Sequence, residues 1–294
     1  MQMVEVSASM VKELREKSGA AMMDCKKALV ESSGDFDKAF EWLRQKGVAS
    51  ASKKSSRATS EGLVVGNVDA SGKKAVLVEI NCETDFVAKN EEFVSLCNKI
   101  AESALEAGAS TVDAALQAKV KDGSGTVGEL ITAAIAKTGE NIQVKRVSFL
   151  QIESGEGVIG QYLHTLGGKM GALLKLVSDK KVPESGANVA RELAMHIVST
   201  KPTYMSKDEV PADIIAEEKR IESGKADLAS KKPEMVEKIV QGRVDKIMAE
   251  RCFLEQPFVK DPSQLVSQYI GTKGKEMGVE LKPVQYSLYI LGEE

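Results

Sequence analysis

Cysteine and histidine are scarce in this sequence, and neither is clustered. Its 294 residues hold four cysteines, at Cys25, Cys82, Cys97 and Cys252, and two histidines, at His164 and His196. No two cysteines stand in C-x-x-C spacing. The thiolate and imidazole clusters of a tetrahedral zinc site are therefore missing, and neither a metal nor another cofactor is expected. So long a chain with so few cysteines is not a disulfide scaffold, and reduced thiols fit it best. Excess positive charge is missing too. Lys plus Arg total 40 against 43 Asp plus Glu, a net charge of −3, which argues against a chain built to sit directly on nucleic acid. One basic cluster exists, at Lys53, Lys54 and Arg57, but it lies in a Ser-rich stretch of the kind that is ordinarily a solvated linker. No apolar run approaches the roughly 18 to 20 residues that cross a bilayer. Lys12, Glu13, Arg15 and Glu16 bring charge too early for a signal peptide. The expectation is a protein of the cytoplasm or an organellar matrix, without a membrane partner.

Local catalytic motifs are absent as well. The pairs Gly168-Lys169, Gly224-Lys225 and Gly274-Lys275 are followed by Met170, Ala226 and Glu276. None is followed by the Ser or Thr that holds magnesium in a P-loop. Neither G-x-S-x-G nor H-E-x-x-H occurs.

What is present is a set of periodic segments, enough for about two to three modules. Residues 1–50 read as three short helices. Ser7 or Ser9 caps the first, which stops near Gly19; the second carries Met22, Cys25, Ala28 and Leu29 and ends near Gly34. Asp35 caps the third, where Phe36, Ala39, Phe40 and Leu43 form a stripe that Gly47 is expected to end. Residues 51–60 read as a linker, within a patternless stretch from Val48 to Ser60.

From Glu61 the period changes to two. Leu63, Val65 and Val68 precede a turn at Ala70-Ser71-Gly72, and Ala75 to Ile80 follow it, a β-hairpin. Asn90 caps a long helix with Phe93, Leu96, Ile100 and Leu105; helical patterns continue over Val112–Val120 and Val127–Lys137, and Ile142–Gln151 reads as a strand. A second hairpin then resembles the first. Glu156-Gly157-Val158-Ile159-Gly160 matches Glu61-Gly62-Leu63-Val64-Val65, and Gly168 to Leu174 matches Gly72 to Leu77. Two related α+β subdomains are implied, over 61–145 and over 146–205 with 251–294. Asn188–Ser199 is an amphipathic helix. Between them, 206–250 reads as an inserted antiparallel helical hairpin. Val210, Ile214, Ile215 and Ile221 share a face, Gly224 to Pro233 is a polar break, and Val236 to Met248 resume the stripe. A helix around Pro262–Met277 and a strand around Gln285–Ile290 close the chain, the strand returning to the second subdomain. The fold class is α+β with antiparallel sheets.

Two stretches carry a family resemblance. The first is Leu14-Arg15 followed by Ser18-Gly19-Ala20-Ala21-Met22-Met23-Asp24-Cys25-Lys26-Lys27-Ala28-Leu29. The second is Asn81-Cys82-Glu83-Thr84-Asp85-Phe86-Val87-Ala88-Lys89-Asn90. In order and spacing they resemble the signatures of elongation factor Ts, and Met195-His196-Ile197 and Gln256-Pro257-Phe258-Val259 match as well. The resemblance spans nearly the whole chain, more loosely over the last thirty residues. It implies a ubiquitin-associated-like three-helix domain, a two-part α+β core, and a dimerisation module at 206–250. It also implies a guanine nucleotide exchange factor without covalent chemistry, whose partner is elongation factor Tu in its GDP-bound and nucleotide-free forms. The sequence leaves open whether two copies pair through 206–250.

Candidate residues follow, each with its plainer reading. By residue type alone, a Phe at an element end is ordinarily buried, and Thr84 or Asp85 caps a turn. The resemblance instead makes Thr84, Asp85, Phe86 and Val87 a loop that enters the partner near its magnesium site. Arg15, Met22 and Met23 form a second candidate contact. Two adjacent methionines cannot both face so small a core, and Met suits binding surfaces; the plainer reading packs Met22 inside. His164, at the end of a strand, is a surface or structural residue by type and a partner contact by resemblance. His196 and the cysteines read as structural. Two rival functions remain on the sequence alone: a cysteine hydrolase built on Cys82, Asp85 and His164, and a non-catalytic adaptor that uses its helical module to bind another helix.

Overall fold

The structure is a computed structural model that describes residues 6–123, 125–164 and 167–293. Three helices open it: α1 (Ala8–Ser18), α2 (Met22–Glu31) and α3 (Phe36–Lys54). The Ser7 hydroxyl accepts the Met10 amide at 3.2 Å, and Gly19, with φ of 66°, ends α1. Asp35 caps α3 through the amides of Asp37 and Lys38, both at 3.1 Å. Val11, Leu14, Cys25, Ala28, Leu29 and Ala39 make the core of this module.

The end expected for α3 at Gly47 is wrong. The helix runs through it to Lys54, into the stretch read as linker. A mid-helix glycine costs about 1 kcal/mol against alanine, but here Gly47 is buried in a seam with a later helix, which offsets the loss. A propensity argument cannot see a neighbour eighty residues away.

The first sheet unit follows. Strands β1 (Glu61–Val68) and β2 (Lys74–Cys82) form the hairpin. The helices α4 (Asp85–Ala88), α5 (Glu91–Ala107), α6 (Val112–Gln117) and α7 (Val127–Thr138) lead to β3 (Ile142–Gln151). The sheet is antiparallel in the order β1-β2-β3. Asn90 caps α5, and Thr126 with Glu129 forms a capping box on α7. The seam with α3 lies on α7, where Gly47 meets Thr132 and Ala136, and Arg44 pairs with Glu129 at 2.7 Å.

The second unit repeats the plan. It uses β4 (Glu156–Leu163), β5 (Met170–Ser178) and α8 (Ser185–Thr200). The chain then departs into α9 (Ala212–Ser223) and α10 (Pro233–Arg251), and returns through the short ribbon β6 (Pro257–Phe258) and β7 (Asp261–Leu265). Then come α11 (Val266–Met277) and β8 (Leu281–Ile290). The sheet order is β4-β5-β8, again antiparallel.

The two sheets lie face to face, each with helices on its other side. Val64, Ala75, Leu77, Leu150 and Ile152 of the first pack with Ile159 and Leu173 of the second. The contacts come in matched pairs. The Gly72 carbonyl at one hairpin tip accepts the Ile159 amide at 2.8 Å, and the Gly168 carbonyl at the other tip accepts the Val64 amide at 2.7 Å. Lys73 pairs with Glu156 and Lys169 with Glu61, each at 3.0 Å. The Ile152 amide bonds to the Lys73 carbonyl, and the Leu291 amide to the Lys169 carbonyl. The outer strands β3 and β8 each carry a one-residue bulge, Lys145 opposite Glu79/Ile80 and Val284 opposite Lys175/Leu176. The paired glycines of the sequence repeat have one cause. Gly62 (φ 143°) and Gly157 (φ 157°) lie so close to the facing strand that a Cβ would stand 2.1 Å and 2.3 Å from the carbonyl oxygens of Ile80 and Leu176.

The helical insertion has its own core of Val210, Leu228, Val240, Val244, Met248 and Cys252. One expectation fails here. Ile221 is 47% exposed, and the inward position belongs to Glu222, eight residues after the stripe residue Ile214. Its buried carboxylate meets Lys225 at 2.6 Å and Arg243 at 3.5 Å, while Glu218 meets Arg251 at 2.7 Å. The interface of α9 with α10 is thus partly ionic. Among the described residues, no helix is long and apolar enough to cross a membrane.

Candidate functional site

Strand β2 ends at Cys82, and the chain turns at once into α4. A four-residue helix has little stability of its own, since nucleation costs more than one turn returns. This one is held by its surroundings. The Thr84 hydroxyl accepts the Val87 amide at 3.4 Å, and the Cys82 thiol donates to the Thr84 carbonyl at 3.2 Å. Val87 packs against the first unit's core and Ala88 is buried. Asp85 and Phe86 therefore point the other way. Phe86 is 83% exposed, although burying a Phe side chain contributes about 1.5–3 kcal/mol. Asp85 pairs with Lys89 at 2.6 Å, and that hydrogen bond and charge hold its carboxyl below the usual range.

Three residues the sequence reading missed surround this turn. The Glu140 carboxylate, just past the end of α7, accepts the Glu83 amide at 3.2 Å, the Thr84 amide at 3.1 Å and the Thr84 hydroxyl at 2.7 Å. In return the Asn141 amide donates to Glu83 at 2.6 Å, and Arg57 pairs with Glu83 at 3.3 Å. No local motif could have disclosed them, because the partners are 56 and 58 residues apart and 26 for Arg57.

The remaining candidates lie elsewhere. Arg15 is exposed near the end of α1. Met22 and Met23 open α2, at 52% and 72% exposure, so the plainer reading that packs Met22 inside does not hold. His164 directly follows β4, half-buried, with Nδ1 at 3.3 Å from the Tyr162 hydroxyl. The candidates thus comprise one contiguous turn, three exposed residues of the helical module and one residue on the second unit.

The constellation for a cysteine hydrolase is not assembled. Cys82 is buried, and burial, with the nearby Glu140 charge, pushes its thiol up to about 12, opposite to an activated nucleophile. Asp85 is engaged with Lys89 and His164 with Tyr162. His196 is wholly buried; its Nδ1 accepts the Val259 amide at 3.1 Å, which leaves Nε2–H to donate to Gln256 at 2.9 Å. That is a structural joint between α8 and the segment after α10. Two adjoining clefts of about 520 and 600 Å³ lie between the helical module and α5 and α7, lined in part by Gly19, Leu130 and Lys137. Neither cleft is lined by Thr84, Asp85, Phe86 or Val87.

Comparison with known proteins gives a family. The family model described as "Elongation factor TS" matches residues 83–293. The chain is 43% identical to an elongation factor Ts of a Nostoc species, with 99% of this chain and 94% of that protein aligned. It is 42% identical to one of Clostridium botulinum, strain Alaska E43, and 39% identical to one of Trichlorobacter lovleyi. Each of these aligns over 98% of this chain and 93% of the relative.

Proposed function

This chain belongs to the elongation factor Ts family of translation elongation factors, and we propose on that premise that it is the nucleotide exchange factor of elongation factor Tu. It binds the GDP form, opens the diphosphate site, and leaves when GTP enters, without making or breaking a covalent bond. The observation that carries this reading is the bare Phe86 ring, 83% exposed on a turn that Thr84, Val87 and Ala88 anchor to the first unit. Magnesium is among the largest local charges at such a site, bridging phosphate oxygens to side chains of the GTPase. A rigid aromatic pushed between the elements that support the ion leaves phosphate charge less compensated, and the nucleotide escapes faster. Asp85, its charge fixed by Lys89, stands beside the wedge, while Thr84 and Val87 hold the turn.

Arg15, Met22 and Met23 supply a second contact, two adaptable thioethers and a cation exposed on the same helical module, and His164 a third. Charge reversal at Arg15 weakens the complex more than the fold. The helical insertion 206–250 is the surface through which two copies would pair. Coupling must be reciprocal: by whatever factor this protein lowers nucleotide affinity, nucleotide lowers its affinity for the GTPase. The exchange factor accordingly speeds GDP release without altering the overall GDP/GTP equilibrium.

The direct test mixes this protein with elongation factor Tu carrying a fluorescent GDP and follows the loss of signal against excess unlabelled nucleotide. Acceleration that grows with protein concentration and then saturates supports the reading. Release as slow as from the GTPase alone defeats it and leaves an adaptor.

A further inference from the structure

We infer that Glu140 is the positioning residue of the Phe86 turn, a carboxylate cradle that fixes the direction of the wedge without itself being the wedge; the inference rests on the exchange function proposed above. Two consecutive backbone amides, of Glu83 and Thr84, converge on one Glu140 oxygen, at 3.2 and 3.1 Å, while its other oxygen takes the Thr84 hydroxyl at 2.7 Å. A hydroxyl has one proton. With that proton committed to Glu140, the Thr84 oxygen can only accept towards α4, and it receives the Val87 amide at 3.4 Å. Glu140 thus sets the polarity of the cap, and the cap sets the one helical turn that carries Phe86. Bonds to an ionised acceptor are the stronger kind.

The clasp is reciprocal. Glu83 accepts the Asn141 amide at 2.6 Å, and the Asn141 side chain donates to the carbonyls of Ser55 at 3.4 Å and Arg57 at 2.9 Å. Three chain segments meet there: the stretch after α3, the end of β2, and the link from α7 to β3. The direction of the ring is therefore decided by the sheet unit as a whole, and a docking GTPase meets a wedge already aimed. Pre-orientation of this kind belongs in the maximal rate of nucleotide release and not in the affinity of the first encounter.

Glu140→Gln tests this, since it keeps size and replaces one acceptor oxygen by a donor. With the same fluorescently loaded GTPase, the release rate at saturating factor is expected to fall about tenfold. The concentration for half-maximal effect should stay within about twofold. In the free protein the Val87 amide is expected to exchange with deuterium about tenfold faster. In a Phe86→Ala background the substitution should cost nothing further. Should Glu140→Gln fail to fold, Glu83→Ala removes the acceptor of the Asn141 amide, breaks the clasp from its other side, and is expected to give the same pattern at about threefold. An unchanged maximal rate with a still-protected Val87 overturns the inference, and so does an additive loss in the double variant. If the parent protein does not speed release, the exchange reading itself falls; if Phe86→Ala keeps the full rate, the wedge falls and the exchange reading stands. Val87 exchange alone then judges the cradle.

Discussion

The two sheet units are built alike and end their central strands differently. In the first, β2 passes through Glu83 and Thr84 into a capped turn that presents Phe86 to solvent. In the second, β5 passes through Asp179, Lys180 and Lys181 to Val182, which packs back onto its own core. Asp179 accepts the Glu280 amide at 2.7 Å, so that corner is tied down by a polar bond and an aliphatic side chain. The shared architecture therefore does not demand an exposed aromatic at this corner. The first unit leaves its aromatic in solvent, as the proposed exchange function requires, whereas the second ties its corner to the segment before β8 and to its own core.

The comparison can be tested from its strongest element down. Leu77 and Leu173 occupy matched positions in the shared core and are both wholly buried. Leu77→Ala and Leu173→Ala should each cost about 2–5 kcal/mol in urea unfolding. Values differing by more than about 2 kcal/mol would break the pseudo-symmetry as an energetic statement.

Phe86→Ala lies where the units differ. Removing a wedge of this size is expected to slow nucleotide release about ten- to a hundredfold. Stability should stay within about 0.5 kcal/mol of the parent, since the ring buries little in its own chain. A large fall in melting temperature would make the residue structural after all.

The third contrast is acid sensitivity. His196 lies in the second unit, and burial holds its imidazole below the ordinary value of 6.5, opposed by the hydrogen bond to Gln256. Below 6.5 the unfolded chain binds this proton more readily than the folded one, so stability is complete above that pH and is lost as pH falls. Protonation must also break the bond from the Val259 amide. Hydrogen exchange at pH 5.5 against 7.5 should show opening around α8 and β6 before β1 and β2; simultaneous opening would mean that the joint is not the weak point.

The smallest effects belong to the matched ion pairs. Lys73→Ala and Lys169→Ala should each cost less than about 1 kcal/mol, and both effects should shrink in high salt. Their side chains are a third to a half exposed, so a larger loss at either would point to a role beyond the pair.

Periodicity revealed most of the fold, because strands and helices with one buried face write their own pattern. The two hairpins, the return of the last strand to the second sheet, and the inserted helical pair were all legible. The failures share one cause. The pattern stops α3 too early because Gly47 is supported by α7, and it points Ile221 inward where Glu222, paired with Lys225 and Arg243, takes the buried position. At the site, the signature from Thr84 to Val87 was visible only through family likeness, since residue type alone would bury the ring. Glu140 was not visible at all: nothing in Gly139-Glu140-Asn141 distinguishes a surface carboxylate from one that organises a turn 56 residues earlier.

The unbroken α3 has a consequence for how a partner is gripped. Because the helix runs on through Gly47 and lies along α7, the exchange function proposed above would use the exposed methionines of α2 and the Phe86 turn as two jaws of one calliper and not as beads on a string. A target that offers both footholds at the matching span is held bivalently, the second contact forming at high effective concentration once the first is made. A target with one foothold gains nothing from the other. Selectivity then resides in a spacing, and wedging the seam open would blunt recognition while leaving each contact surface untouched.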